Sequence, residues 1–157
     1  MYNQKVMDYF LKPINMGDMP DADGVGEVGN VVCGDVMHLF IRVGKNPAGK
    51  EVIADVKFKT LGCVAAIATS SIATELAKGK TLEQAMAMTN QDVVRELGGL
   101  PPVKVHCSVL AVDALKMAIY DYLKKQGRPI PEKLEKEAQR IRKDTENAEA
   151  HTHPHVE

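Results

Sequence analysis

Cys33, Cys63 and Cys107 are the chain's three cysteines, standing 30 and 44 positions apart in a sequence of 157 residues. An odd, sparse set makes no disulfide framework, and no two form the Cys-x-x-Cys clamp of a zinc ribbon or thioredoxin-like site. Joint chemistry therefore requires the fold to gather them. The plain alternative is three separate buried thiols, since unpaired cysteine is among the most buried residue types. Cys63 follows Gly62 just ahead of an alanine-rich run, and Cys107 heads a long helical pattern with His106 beside it. A sulfur at a helix N-terminus meets the positive end of the macrodipole, which suits the thiolate, the form that binds metal or attacks sulfur. Cys33 is followed by Gly34 and Asp35, a turn that lets a thiolate and a carboxylate face one centre.

Three thiolates, one imidazole and one carboxylate at the ends of elements make a mixed donor set. Iron–sulfur clusters require thiolates, and His or Asp in place of one changes potential and lability. Such a set suits a protein that binds a cluster and then gives it up. Zinc accepts the same ligands tetrahedrally, so the donors alone leave the metal open. A third reading is a hydrolase with Cys107 as nucleophile and His106 as base. Adjacent residues at a helix start rarely point at each other, however, and no orienting acid or oxyanion motif accompanies them. Lys104 either steadies anionic sulfur nearby or is a solvated loop charge.

The elements that position these groups follow from periodicity. Val6, Tyr9 and Phe10 give residues 2–12 a helical apolar face, which Pro13 ends. Residues 17–34, rich in glycine and aspartate, read as a mobile loop. Met37, Leu39, Ile41 and Val43 alternate with Val36, His38, Phe40 and Arg42; Asn46-Pro47-Ala48-Gly49 supplies a turn. Val52, Ala54, Val56 and Phe58 then alternate with a more polar set, which predicts an antiparallel hairpin with one face toward a core. Asn30-Val31-Val32 is the candidate third strand. Past Cys63 the period turns helical: residues 65–77 end at Lys78-Gly79, Thr81-Leu82-Glu83-Gln84 fits a capping box, and Asn90 caps a helix ending at Gly98-Gly99. Pro101-Pro102 forces an extended stretch, and the longest helix runs over 108–125 with Val112, Leu115, Ile119 and Tyr122 on one face. Strands first and helices after predict an α+β fold, a small three-stranded antiparallel sheet packed against helices on one face.

Gly127-Arg128-Pro129-Ile130-Pro131 breaks the long helix. Residues 132–147 are highly charged, with a thin apolar stripe of Leu134, Ala138 and Ile141. The organisation expected is one domain over 1–126 and an appended charged helix, solvated or docked, with a His-containing tail over 127–157, partly disordered. His151, His153 and His155 in that tail can take up metal adventitiously and are assigned no role.

Other readings are excluded. Gly24-Val25-Gly26-Glu27-Val28-Gly29 has the spacing of a dinucleotide fingerprint but lacks the preceding strand and following helix, so a flexible loop is the better reading. His38, beside Val36 and Phe40, reads as a packing residue. Lys and Arg number 20 against 21 Asp and Glu, which gives no support to nucleic-acid binding. No apolar run approaches the ~20 residues of a membrane span, and the first residues carry no secretory pattern, so a cytoplasmic protein is expected.

Three segments carry a more specific signal: Cys33-Gly34-Asp35; Lys57-Phe58-Lys59-Thr60-Leu61-Gly62-Cys63; and Leu100-Pro101-Pro102-Val103-Lys104-Val105-His106-Cys107-Ser108. In this order they resemble the IscU/NifU-type iron–sulfur cluster assembly scaffolds, over about residues 1–126. Val64-Ala65 stands where many members carry Gly-Ser. The resemblance implies that Cys33, Cys63 and Cys107 hold a nascent [2Fe–2S] cluster, with [4Fe–4S] as the alternative nuclearity. Asp35 or His106 would stand near the fourth position, and zinc could occupy the cluster-free site. It further implies a non-enzymatic scaffold supplied by a cysteine desulfurase, with Cys107 as candidate persulfide acceptor. Iron and electron donors and acceptor apo-proteins are the other implied partners, and residues 100–104 resemble a recognition motif for an Hsp70-type chaperone. The rival on the same fold is a zinc-dependent persulfide relay. Such relatives usually carry an insertion between the second and third cysteines and lack the His-Cys pair, both unlike this chain.

Overall fold

A computed structural model describes residues 2–29 and 36–152. Cys33, Asp35 and the Asn30-Val31-Val32 segment lie outside the described residues. Three antiparallel strands, β1 (Gly24–Gly29), β2 (Val36–Lys45) and β3 (Glu51–Thr60), form one sheet in the order β1-β2-β3. Around it stand α1 (Gln4–Leu11), α2 (Val64–Ala77), α3 (Leu82–Met86), α4 (Asn90–Glu96), α5 (His106–Lys125) and α6 (Glu132–Thr152). The α+β architecture is the one expected, with α2 and α5 lying on the sheet.

The β2–β3 hairpin forms where the alternation placed it. Met37, Leu39 and Ile41 of β2 are buried. In β3 the alternation fails at one point: Ile53 is buried and Ala54 exposed, whereas Val56 and Phe58 point inward as expected. The reason is a register shift between Arg42 and Val43. Arg42 lies opposite Asp55 and Val43 opposite Ile53, so Ala54 is the extra residue of a bulge and the strand changes face there.

The third strand is Gly24–Gly29, the segment read as a flexible loop. Its glycines are there because helix α5 presses on the strand. A Cβ built on Gly24 would lie 2.2 Å from the Ala118 carbonyl oxygen, and one on Gly26 would lie 2.1 Å from that of Ala114. Glycine on the strand and alanine on the helix let two backbones approach where no side chain fits. Neither the loop nor the dinucleotide fingerprint describes this segment.

Both sheet edges are covered. Along β3, Phe58 N–H donates to the Asn15 carbonyl and Ile53 N–H to that of Lys80. Along β1, Val25 N–H donates to Asp121 Oδ2 at 2.8 Å and Gly29 N–H to Thr145 Oγ1 at 3.1 Å. Side chains from α5 and α6 thus satisfy donors that a bare edge would leave open to another strand.

The helices depart from expectation in detail. Thr89, not Asn90, caps α4, in a reciprocal box with Asp92; the Thr81–Gln84 box on α3 stands as read. Pro102–Lys104 forms a 3-10 turn that runs straight into α5, so the extended stretch after Pro101 is absent and α5 starts two residues early, at His106. The longest helix is α6, with 21 residues against 20 in α5.

Helix α6 is docked, not loosely solvated. Leu134, Ala138 and Ile141 are buried and belong to the main core. Arg140 pairs with Asp113 at 3.1 Å and Lys116 with Glu137 at 3.1 Å, and Tyr120 Oη donates to Glu135 at 3.3 Å. Burial pushes the Asp113 carboxyl up, against the pull of the Arg140 guanidinium. Ile141→Ala is expected to cost about 2–4 kcal/mol in urea unfolding; a loss under about 0.5 kcal/mol would mean the helix is not docked in solution.

Candidate metal centre

The end of the molecule near the start of β2 and the end of β3 gathers the N-termini of α2 and α5. Cys63 is the N-cap of α2, in extended conformation and with no side-chain capping bond. This position usually carries an oxygen side chain that satisfies the first-turn amides, and sulfur is a poor substitute. Cys107 is the second residue of α5 and fully buried.

Small residues bring the two helices together. Ala65, Ala66, Ala68, Thr69 and Ser70 of α2 are buried. Thr69 Oγ1 donates to the carbonyl oxygens of Ala66 at 3.2 Å and Cys107 at 3.3 Å, a hydrogen-bonded link from α2 to the first turn of α5. The Sγ atoms of Cys63 and Cys107 lie 3.8 Å apart, far beyond a disulfide bond length of about 2.05 Å. Two thiolates on one tetrahedral metal at about 2.3 Å would stand about 3.8 Å apart. The pair therefore already has the spacing of two ligands sharing one ion.

Around the sulfurs lies a small apolar cluster of Ala65, Ala66 and Cys107, against which Tyr2, Cys63 and Leu100 pack. Tyr2 had not been singled out by sequence, since a lone aromatic before a helix carries no spacing signal. Asn3 seats it: its Oδ1 accepts the Val6 N–H at 2.9 Å, capping α1, while Nδ2 donates to the Leu97 carbonyl at 3.0 Å. Burial, then the neighbouring Cys63, pushes the Tyr2 phenol up, with Lys104 pulling the other way. Lys104 thus lies close enough to act on the same environment, from the 3-10 turn before α5.

His106 opens α5 one residue before Cys107. Its Nε2 is buried and has no hydrogen-bond partner among the described residues. A buried imidazole nitrogen left without a partner is costly unless something else completes it, which makes His106 a candidate ligand. No group of three His, Cys, Asp or Glu side chains with metal-holding geometry occurs among the described residues, a set that excludes Cys33 and Asp35. His38 lies elsewhere, on the half-exposed outer face, 3.6 Å from Glu27 of the neighbouring strand, and is a surface partner instead of a packing residue. Leu61 and Val103, flanking the cysteines in sequence, are exposed.

The NifU-like N terminal domain model matches residues 1–129. The chain is 53% identical over 146 residues to the iron-sulfur cluster assembly scaffold protein IscU 1 of Archaeoglobus fulgidus, covering 91% of this chain and 92% of that one. It is 52% identical over 129 residues to IscU of Haemophilus influenzae, covering 80% of this chain and 98% of the relative, whose length is thus nearly used up by that match. A NifU-like protein (N-terminal) from Brucella abortus has the same fold, with a TM-score of 0.60 over 78% of this chain and 94% of that one at 17% identity. With its two helix-end cysteines at ligand spacing and a match across most of its length, this chain belongs to the NifU-like N-terminal domain family, alongside the IscU scaffold proteins.

Proposed function

We propose that the chain is a scaffold on which a labile iron–sulfur cluster is assembled as cargo and then passed to apo-proteins. The Cys63–Cys107 spacing of 3.8 Å at two abutting helix N-termini carries this reading. Cys33 is the third thiolate of the proposed set, and Asp35 or His106 stands for the fourth position. The cargo is proposed as [2Fe–2S], with zinc able to take the same thiolates in its absence.

The residues bind and position; they do not turn over a substrate. Cys63 and Cys107 lose their protons to water as metal arrives, and the apolar wall of Ala65, Ala66, Tyr2 and Leu100 limits water around the sulfurs. Sulfur is proposed to come as persulfide from a cysteine desulfurase, with Cys107 as acceptor. Each sulfane sulfur then takes two electrons from an external donor to become sulfide. Exposed Leu61 and Val103 give apolar ground beside the site on which such a partner can dock. Residues 100–104, of which Pro102 and Val103 are exposed, remain the proposed chaperone segment. The proposed setting is the cytoplasm; no helix among the described residues is long and apolar enough to cross a membrane.

The zinc relay is the weaker reading, because the chain keeps the adjacent His106 and Cys107 and the curated relatives it matches are named iron-sulfur cluster assembly scaffold proteins. A direct test is Asp35→Ala on reconstituted protein. Its cluster is expected to survive several-fold longer in an apo-ferredoxin transfer assay, since an oxygen ligand that favours release is gone; a lifetime equal to that of the parent would remove Asp35 from the release step.

A further inference from the structure

The two sulfurs of the site differ in how firmly they are held. Cys107 is fully buried, and its carbonyl oxygen accepts from Thr69 Oγ1 at 3.3 Å, which ties the first turn of α5 to α2. Cys63 is partly exposed and stands just outside α2 as its N-cap, in extended conformation and with no capping bond from its side chain. Gly62 precedes it, beyond the end of β3 at Thr60. The 3.8 Å between the sulfurs is van der Waals contact. A disulfide needs that gap to close to about 2.05 Å, a movement that falls on the Cys63 side chain and not on the buried Cys107.

We propose that Cys63 is the resolving thiol for sulfur carried on Cys107, and that it releases this sulfur as sulfide within the site. The inference deepens the scaffold reading and rests on its assignment of Cys107 as persulfide acceptor. Cys63 Sγ attacks Cys107 Sγ, the inner sulfur of the persulfide. A Cys63–Cys107 bond forms and the bond to the outer sulfur breaks. The outer sulfur leaves with the bonding pair and takes up the proton that Cys63 gave up. It is thereby reduced to sulfide, and the cysteine pair is oxidised to a disulfide. Hydrogen sulfide is a stronger acid than a cysteine thiol, so sulfide is the better of the two leaving groups that the persulfide offers. A dithiol reductant then exchanges at the partly exposed Cys63, leaves as its own disulfide, and returns both cysteines to thiols able to hold metal. External electrons thus reach the sulfane sulfur by way of the pair, one dithiol for each sulfide. Contact at 3.8 Å gives Cys63 a high effective concentration against Cys107. The wall of Ala65, Ala66, Tyr2 and Leu100 limits the access of free thiols to the buried sulfur.

The step can be followed apart from cluster binding. Metal-free protein is loaded anaerobically with a cysteine desulfurase and cysteine, both are removed by rapid gel filtration, and sulfide release is followed without iron or reductant. The parent is expected to release its sulfane sulfur as sulfide. Intact-mass measurement and peptide mapping should then show a Cys63–Cys107 disulfide, the chain having lost two hydrogens relative to its unloaded form. Cys63→Ser puts a favoured N-cap residue at the start of α2, so the helix should begin as before. This variant is expected to release sulfide at least about 10-fold more slowly and to keep the added sulfur on Cys107. Added dithiothreitol should restore its release, which would show that the persulfide was intact. Release at the parent rate in Cys63→Ser would overturn the proposal. So would sulfur carried over to Cys63 with no Cys63–Cys107 disulfide formed, or sulfur that never reaches Cys107. Cluster binding by the parent, read from its visible spectrum after reconstitution, measures the scaffold reading separately, so failure of one is distinguishable from failure of the other.

Discussion

Cys63→Ala is expected to abolish stable cluster binding while leaving the fold intact. Cys63 sits at the N-cap of α2, where it is partly exposed and makes no capping hydrogen bond, so its truncation removes little packing. Its sulfur is nonetheless one half of a pair set 3.8 Å apart, and removing it takes one thiolate from the proposed ligand set. The expected result is loss of more than about nine-tenths of the bound iron and sulfide after anaerobic reconstitution, with a melting temperature within a few degrees of the parent. Cys107→Ala should lose the cluster equally but with a larger stability cost, since Cys107 is fully buried against Ala65 and Ala66. Full retention of cluster in Cys63→Ala would contradict a shared site.

The second large effect falls on stability. Gly26→Val should destabilise the chain by at least about 3 kcal/mol, which for a domain of this size lowers the melting temperature by roughly 6–12 °C. A Cβ there would stand 2.1 Å from the Ala114 carbonyl oxygen and 2.7 Å from the Ala118 amide nitrogen. Both are backbone atoms in the middle of α5, so no side-chain rotation relieves the clash. Strand and helix must separate, and the contact that seats α5 on the sheet is lost. Glu27→Ala on the exposed face of the same strand serves as the control and should change stability by no more than about 0.5 kcal/mol. A stable Gly26→Val would mean that α5 does not pack on β1 as closely as the geometry requires.

These two effects also mark where sequence reasoning reached and where it stopped. The hairpin was legible because Met37, Leu39 and Ile41 recur at every second position, followed by a turn and a second alternating run. The face change at Ala54 was not, because a bulge depends on pairing across strands and leaves no trace in one strand's own pattern. The segment 24–29 was misread for a related reason. Glycine ordinarily marks loops, and its use here follows from a helix that is about 90 residues away in sequence. The apolar stripe of α6 could be seen, but whether three small to medium residues suffice to dock a charged helix was decided by the Asp113–Arg140 and Lys116–Glu137 pairs, which periodicity does not show.

The placing of Cys63 and Cys107 was more legible than the sheet. The prediction that Cys63 and Cys107 stand at helix starts followed from local signals, Gly62 before an alanine-rich run and the Pro-Pro pair before a long periodic segment. Their meeting did not follow from such signals; it came from the order of motifs and the resemblance they carry. Tyr2 was missed because its packing beside the sulfurs depends on how Asn3 is anchored, through an amide that bridges to the Leu97 carbonyl more than ninety residues on.

The central claim is that Cys63 and Cys107, with Cys33, hold an iron–sulfur cluster as cargo. It is tested most directly by anaerobic reconstitution with Fe²⁺, cysteine and a cysteine desulfurase, on protein in which His151, His153 and His155 are replaced by alanine to remove adventitious metal. Mössbauer and visible spectra would be read with counts of iron, sulfide and zinc. Sulfide-to-iron bands with matched iron and sulfide are expected, lost when the cluster moves to an apo-ferredoxin. One tight zinc per chain, no sulfide and persulfide on a cysteine would contradict the claim and assign the thiolate pair to a zinc-dependent relay.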